Sequence, residues 1–216
     1  MKKLLGVLLF SFSMMMAFAQ VAHAAPNPGY VTLAAPQPVD VPRGKVEVIE
    51  FFWYGCPHCN AFNPYLEAWL KKQGPGVVFK RVPVAFTPNL VPHSKLYHAL
   101  QELGAAQRLT PIVLSEMHRR EIQANSENVM VTPADQAAFL ARHGVDSRKF
   151  LAAYNSFATQ NAIQRDNQLI SNYRIDGVPT LIVQGKYKTG PGIADSLPGI
   201  INALDFLVSQ VRAGRM

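Results

Sequence analysis

The chain has 216 residues and only two cysteines, and both lie in one short run, Cys56-Pro57-His58-Cys59. Two thiols held two residues apart can close into a disulfide and reopen, so the chemistry on offer is thiol–disulfide exchange. The attacking species in that exchange is a thiolate, and the pKa of each sulfur sets its role. Proline is favoured at the first position of a helix, which places Pro57 there, Cys56 at the N-cap and Cys59 in the first turn. An N-cap atom faces free backbone N–H groups, here those of His58 and Cys59, at the positive end of the helix dipole. A thiolate is stabilised at that point, and a protonated His58 adds positive charge beside it. A depressed pKa is therefore expected for Cys56. Cys59 faces back under the turn, so Cys56 is expected to be the exposed sulfur and Cys59 the buried one.

Other uses of the pair fit less well. A structural disulfide across two residues constrains the unfolded chain little. A zinc site would need two more ligands from His58, His93, His98, His118 or His143, with no second C-x-x-C present, so no metal is expected. His93, His98, His118 and His143 fall on predicted helices or their ends and read as surface or packing residues.

The elements around the motif follow from periodicity. Lys45 to Tyr54 is β-branched and aromatic, as suits a central strand, and Gly55 ends it. Phe62, Tyr65, Leu66, Trp69 and Leu70 recur at helical spacing up to Gly74, a stop signal. Val77 to Val84 reads as a second strand, which completes a β-α-β unit. By strand alternation Glu50 shares a face with Val46, Val48 and Phe52, which sets a carboxylate in an apolar layer close beneath Cys59.

From Thr87 to about Asp166 the signals are helical. One helix runs from His93 to Leu103 and stops at Gly104. Thr110-Pro111 is expected to open a second by a capping residue followed by proline. Thr132-Pro133 opens a third, which ends at Gly144, and Asp146 caps a fourth bearing Phe150, Leu151, Tyr154 and Phe157. The chain then returns through a helical segment from Ala158 to Tyr173 and a turn at Asp176-Gly177-Val178-Pro179. A hairpin of Thr180–Val183 and Lys186–Thr189 follows. An amphipathic helix carrying Ile200, Leu204, Leu207 and Val208 closes the chain. The short extended stretch from Tyr30 to Leu33 reads as an edge strand. The class is α/β, with residues 25–86 and 167–216 as one discontinuous domain and 87–166 as a helical insertion.

Met1-Lys2-Lys3, an apolar run from Leu4 to Phe18 and the small-x-small pattern Ala22-His23-Ala24 form a secretory signal over residues 1–24, with a mature start at Ala25. The run is shorter than the roughly 20 residues of a spanning helix, and no cysteine follows it to carry a lipid. Export would place the cysteines in an oxidising compartment. A hydrophobic content of 49% is ample for a core, and the net charge of +7 includes Lys2 and Lys3 of the leader. Basic pairs at Lys71-Lys72 and Arg119-Arg120 form no continuous stripe, which argues against a nucleic-acid partner.

Taken together, Cys56-Pro57-His58-Cys59 after a Glu-Phe-Phe strand, the helical insertion, and Gly177-Val178-Pro179 before a hairpin resemble the thioredoxin-fold disulfide oxidoreductases. The resemblance is to the DsbA-type periplasmic thiol oxidases in particular. The dipeptide between the cysteines is Pro-His, as in that type, where thioredoxins carry Gly-Pro and protein disulfide isomerases Gly-His. The resemblance implies a thioredoxin fold with an inserted helical domain. It also implies an enzyme that donates its Cys56-Cys59 disulfide to newly exported proteins with free thiols in the periplasm. No cofactor beyond that disulfide is implied; the partners would be those exported proteins and a DsbB-like quinone-linked membrane protein for re-oxidation, and the chain would be a monomer. An X-Pro bond is cis in only about 5–6% of cases, so Pro179 alone reads as a turn proline. The resemblance implies a cis bond, with Val178 offering its backbone to substrate. It makes Glu50 a buried acid serving Cys59, with Arg81 or Lys80 as its basic partner. Stabilising the reduced thiolate makes such a pair a stronger oxidant, and the family is itself the standard instance of this.

Two features depart from the pattern or recur from relatives: Tyr54-Gly55 stands where some relatives have bulky residues, and Pro64 sits inside the helix as thioredoxins have it. The rival readings are a disulfide isomerase or reductase of the same fold and a peptide-binding holdase. Periplasmic isomerases carry an N-terminal dimerisation domain, for which residues 25–43 have no room, and a threonine where this chain has Val178. A holdase would survive Cys56→Ser.

Overall fold

The computed structural model describes residues 28–121 and 129–215; the expected leader over residues 1–24 lies outside them. Five strands form one sheet: β1 (Val31–Thr32), β2 (Val46–Phe52), β3 (Val77–Pro83), β4 (Thr180–Val183) and β5 (Tyr187–Thr189), in the order β1-β5-β4-β2-β3. Strands β2 and β3 run parallel, joined by helix α1 (Pro57–Gln73), and the remaining pairs are antiparallel. Every residue of β2 is buried, as suits a central strand whose β-branched and aromatic run is broken only by Glu47 and Glu50.

Alternation along β2 sends its two sets of side chains to different layers. Val46 and Val48 pack with Phe62, Leu66 and Trp69 of α1 and with Ile200, Leu204 and Leu207 of the C-terminal helix α7 (Leu197–Arg212). Ile49 and Phe51 face the other way, onto Val82, Ile182, Tyr173 and Ile175. Trp69 Nε1 donates to Asp205 Oδ1 at 2.7 Å and ties α1 to α7.

Among the described residues, five α-helices follow a 3-10 turn at Pro88–Leu90 between β3 and β4: α2 (Val91–Glu102), α3 (Ala106–Glu121), α4 (Pro133–Ala141), α5 (Ser147–Tyr154) and α6 (Phe157–Asn172). The Thr132 and Asp146 side chains cap α4 and α5 as their sequence signatures imply. α6 runs unbroken across position 166. Its own cap is Ser156, whose side chain accepts from Thr159 N–H, so the expected fourth helix stops at Tyr154 and Phe157 begins the next one. Phe157 is consequently not on an inner face; it is 76% exposed.

The start of α3 also differs from expectation. The helix begins at Ala106, with Thr110 and Pro111 inside it. Leu109 N–H donates to Ala105 C=O at 2.9 Å, so the helix is already under way before the proline, which removes one donor without ending it. Thr110 is fully buried and its hydroxyl lies 3.1 Å from the Tyr54 hydroxyl, a tertiary contact in place of a cap.

The core of the helical region is continuous with the cysteines. Cys56, Cys59, Phe52 and Tyr54 belong to one buried cluster with Leu96, Leu100, Leu109, Met117, Leu140 and Phe150. The helices thus supply part of the wall around the sulfurs.

Candidate active site

Local structure at the cysteines follows from proline. Cys56 has extended dihedrals and caps α1, Pro57 takes the first helical position, and Cys59 N–H donates to Cys56 Sγ at 3.3 Å. Cys56 N–H is itself held by Trp53 C=O at 3.0 Å. The two sulfurs stand as free thiols. Cys59 is the less exposed at 1%, as expected, but Cys56 at 6% is far from open. The cover comes from the turn before β4: Cys56 Sγ–H donates to Val178 C=O at 3.3 Å.

The Val178-Pro179 bond is cis. A recess of about 330 Å³, lined by Asp176 to Thr180, Lys188 and Gly190 to Ile193, opens on the far side of that turn. His58 is exposed at the first turn of α1.

The two sulfurs differ in acidity, and the causes are structural. The Cys56 thiol is lowered to about 7, first by the Cys59 side chain donating to its sulfur, then by the backbone N–H groups of Cys59 and His58, with the His58 charge adding least; burial opposes all of these. The Cys59 thiol is pushed well above the ordinary thiol range by burial, then by its neighbour Cys56 and by the Glu50 charge. His58 is thus a smaller contributor than its position in the motif suggests, because a solvated ring acts weakly on a sulfur already served by direct hydrogen bonds.

Glu50 is 2% exposed and sits in the middle of the sheet. Its basic partner is Arg81, whose Nε donates to Glu50 Oε2 at 2.6 Å. Lys80 projects from the other face of β3 and pairs with Glu47. Burial raises the Glu50 carboxyl above its ordinary range, while the Arg81 charge pulls against that rise. Arg81 Nη2 also donates to Asn63 Oδ1 at 2.8 Å and to Glu67 Oε1 at 3.1 Å. Cys59, Asn63 and Glu67 are spaced four apart on α1 and share one face. That spacing was readable as a polar row on an otherwise apolar side of the helix, yet Asn63 and Glu67 were not among the expected site residues.

Two further neighbours were also missed. Trp53 Nε1 donates to His93 Nδ1 at 2.8 Å, and the Tyr54 hydroxyl meets Thr110. Of the two expected alternatives, surface or packing, His93 and His98 take packing: both are buried, His93 is partnered at both ring nitrogens and His98 Nε2 lies 2.5 Å from Asp166 Oδ2. No local signal links Trp53 to a residue 40 positions away. Among the described residues no cluster of His, Cys, Asp or Glu is arranged to hold a metal.

An N-cap cysteine with lowered pKa, a buried second cysteine and a cis-proline turn over the first sulfur define a dithiol–disulfide exchange site on a thioredoxin fold. The chain belongs to the family of the DSBA-like thioredoxin domain, whose profile matches residues 78–205, more than half of its length. It is 51% identical over 214 residues to the thiol:disulfide interchange protein DsbA of Burkholderia cepacia, covering 98% of each chain. The crystal structure of Pseudomonas aeruginosa DsbA superposes with a TM-score of 0.77 at 36% identity, covering 86% of this chain and 93% of that one. The DsbA oxidoreductase of Xylella fastidiosa gives 0.76 at 31% identity, with 86% and 96% covered. The chain is accordingly a thiol:disulfide oxidoreductase, and Cys56 and Cys59 are its only sulfurs able to exchange.

Proposed function

We propose that the chain runs this interchange as a disulfide donor, oxidising newly exported proteins in the periplasm. The observation that carries the reading is the opposed acidity of the two sulfurs, with Cys56 lowered to about 7 and Cys59 raised. With the disulfide closed, a substrate thiolate bonds to Cys56 Sγ as the Cys56–Cys59 bond breaks, and Cys59 leaves with the electron pair and takes up a proton. A second substrate thiolate then attacks the substrate's own sulfur, and Cys56 leaves as a stabilised thiolate. The substrate is oxidised by two electrons and the protein reduced by two. A leaving thiol of low pKa departs faster, and a stable reduced thiolate biases the equilibrium towards giving the disulfide away.

Val178 is the residue assigned to docking. Its carbonyl accepts from the Cys56 thiol in the reduced form, whereas in the closed disulfide, the form that meets substrate, Cys56 Sγ carries no proton to occupy it. An extended substrate segment could then pair with the Val178 backbone in strand fashion beside the sulfur. Glu50, held by Arg81, is assigned the proton exchange at Cys59. The assignment of a DsbB-like quinone-linked membrane protein to re-oxidation and of the periplasm as the site of action rests on membership of the family and on the leader-like residues 1–24.

The direction is tested by equilibrating the purified protein with mixtures of reduced and oxidised glutathione and trapping the thiols. The expected result is that the protein remains largely reduced under conditions where glutathione is substantially oxidised. An equilibrium that leaves Cys56-Cys59 oxidised in a strongly reducing mixture would replace donor by reductase.

A further inference from the structure

We propose that Glu67 is a positioning residue for the proton exchange at Cys59, acting on Glu50 through the Arg81 guanidinium that both carboxylates share; this rests on the assignment of Glu50 to that exchange. The geometry is one cation between two anions. Arg81 Nε donates to Glu50 Oε2 at 2.6 Å, and Nη2 donates to Asn63 Oδ1 at 2.8 Å and to Glu67 Oε1 at 3.1 Å. The Arg81 side chain is 5% exposed, and its guanidinium carbon lies 5.2 Å from the Phe79 ring centroid and 5.9 Å from that of Phe52. Held by these contacts, it serves both carboxylates at once.

The two carboxylates differ in their surroundings. Glu50 is buried in the sheet, whereas the Glu67 side chain is 26% exposed and opens on a cavity of about 570 Å³, whose wall also holds Arg81, Tyr97, Lys71 and Lys80. Lys80 is engaged with Glu47. Tyr97 from α2 faces Glu50 and Arg81, and Tyr54, just beyond β2, faces Arg81; burial raises both phenols and keeps them neutral. Cys59 of α1 is the remaining titratable neighbour of Glu50. The charges that act on Glu50 are therefore those of Arg81 and Glu67, and the solvated carboxylate draws on the same positive charge that the buried one needs.

A buried carboxylate matched to a whole guanidinium stays ionised and gives no proton back. Sharing Arg81 with Glu67 leaves Glu50 undercompensated, since burial and the Glu67 charge both raise its carboxyl against the pull of Arg81. A group balanced in this way takes and returns a proton near the working pH, as acid–base exchange requires. When Cys59 resolves a mixed disulfide, its S–H proton passes to Glu50, its sulfur bonds to Cys56 Sγ, and the outer sulfur leaves with the electron pair. The cysteine pair is oxidised by two electrons and the departing thiol is reduced by two. When a substrate thiolate opens the disulfide, the same proton returns to Cys59.

The test uses the full-length mature protein carrying glutathione on Cys56, and reads the rate at which Cys59 displaces it from acid to neutral pH. Resolution needs an ionised Glu50 as proton acceptor, so the rate should rise along an acidic limb set by that group. In Glu67→Gln, whose amide oxygen can still accept from Arg81 Nη2, the limb should move to lower pH. At a fixed pH on the limb the rate should increase about threefold, the scale of one partly exposed charge pair. Glu67→Ala should move the limb the same way and also lower thermal stability, because it breaks the tie from α1 to the guanidinium. Glu67→Asp, which keeps the charge, should stay closer to the wild type, and in Glu50→Gln the limb should disappear. A purely structural Glu67 would lower the stability of Glu67→Ala and leave the limb of Glu67→Gln in place. That result, with the limb lost in Glu50→Gln, would overturn the role of Glu67 alone. A limb that survives Glu50→Gln would overturn the assignment of Glu50 and the proposal with it. If Glu50→Gln does not fold, carboxyl NMR shifts of Glu50 in the wild type and in Glu67→Gln decide the matter: titration at a lower pH in the variant supports the proposal, and titration at the same pH overturns it.

Discussion

Glu50 and Arg81 stand opposite one another in the parallel register of β2 and β3, and the Arg81 Nε to Glu50 Oε2 bond of 2.6 Å closes between them in a buried layer. The pair lies between the sheet and the α1 row of Cys59, Asn63 and Glu67, so one guanidinium ties the sheet to the active-site helix.

Removing one member of this pair should cost more than removing a surface pair. Glu50→Ala leaves Arg81 with Asn63 and Glu67 alone, and a loss of about 3 kcal/mol in urea unfolding is expected, the low end for a broken buried ion pair. The same variant should lower the Cys59 pKa, because the Glu50 charge raises it. Thiolate absorbance across an alkaline titration of the reduced protein measures that shift, and an unchanged Cys59 titration would remove Glu50 from the exchange.

The reduced protein should be more stable than the oxidised one, with a pH dependence set by Cys56. Its thiol falls from 9.0 to about 7 on folding. A lowered folded pKa adds stability that is complete above pH 9.0, the unfolded value, and is lost as pH falls through about 7. Denaturant midpoints of the two forms should therefore draw apart as pH rises through that interval and come together below it. Equal midpoints at pH 9 would contradict the donor direction.

Gly55→Ala places a methyl group where the Trp53 ring lies. Overpacking of this kind should lower stability by about 1–3 kcal/mol, read from thermal unfolding, and shift Trp53 emission as the indole is displaced.

His93 should contribute to acid sensitivity. Burial lowers its pKa below 6.5, and the unfolded chain therefore takes up the proton first. The stability this group supplies is present above pH 6.5 and is lost as pH falls through its folded pKa. His93→Asn, which cannot titrate, should lose less stability between pH 7 and pH 5 than the wild type in paired thermal melts.

Much of this site was legible because its determinants are local. Pro57 after Cys56 sufficed to place the N-cap, and alternation from Val46 placed Glu50 inward. What escaped depends on contacts across the fold. Thr110-Pro111 carries the local signature of a helix start, but Ala105 and Leu109 had already begun the helix, and burial of Thr110 against Tyr54 outweighed the capping preference. Phe157 continues an apolar spacing that Ser156 interrupts by capping a new helix. The choice of Arg81 over Lys80 needed only the strand register, since residues opposite Glu50 and Ile49 face different sides. His93 had no signal of its own, because its partner Trp53 arrives through the packing of α2 on the end of β2.

The strand order has a consequence for how the chain acquires its structure. Strand β2 is flanked by β3, which follows it closely, and by β4, reached only after the five intervening helices; the Glu47 N–H to Gln184 Oε1 bond spans 137 positions. A chain emerging from its N-terminus can form the β2-α1-β3 unit early, but the carbonyl and amide groups on the other edge of β2 stay unpaired until the last part of the sequence appears. The turn that covers Cys56 arrives with that same strand. Until then the nucleophilic sulfur lies open, and late closure of a sheet over so long a loop favours slow folding governed by chain connectivity.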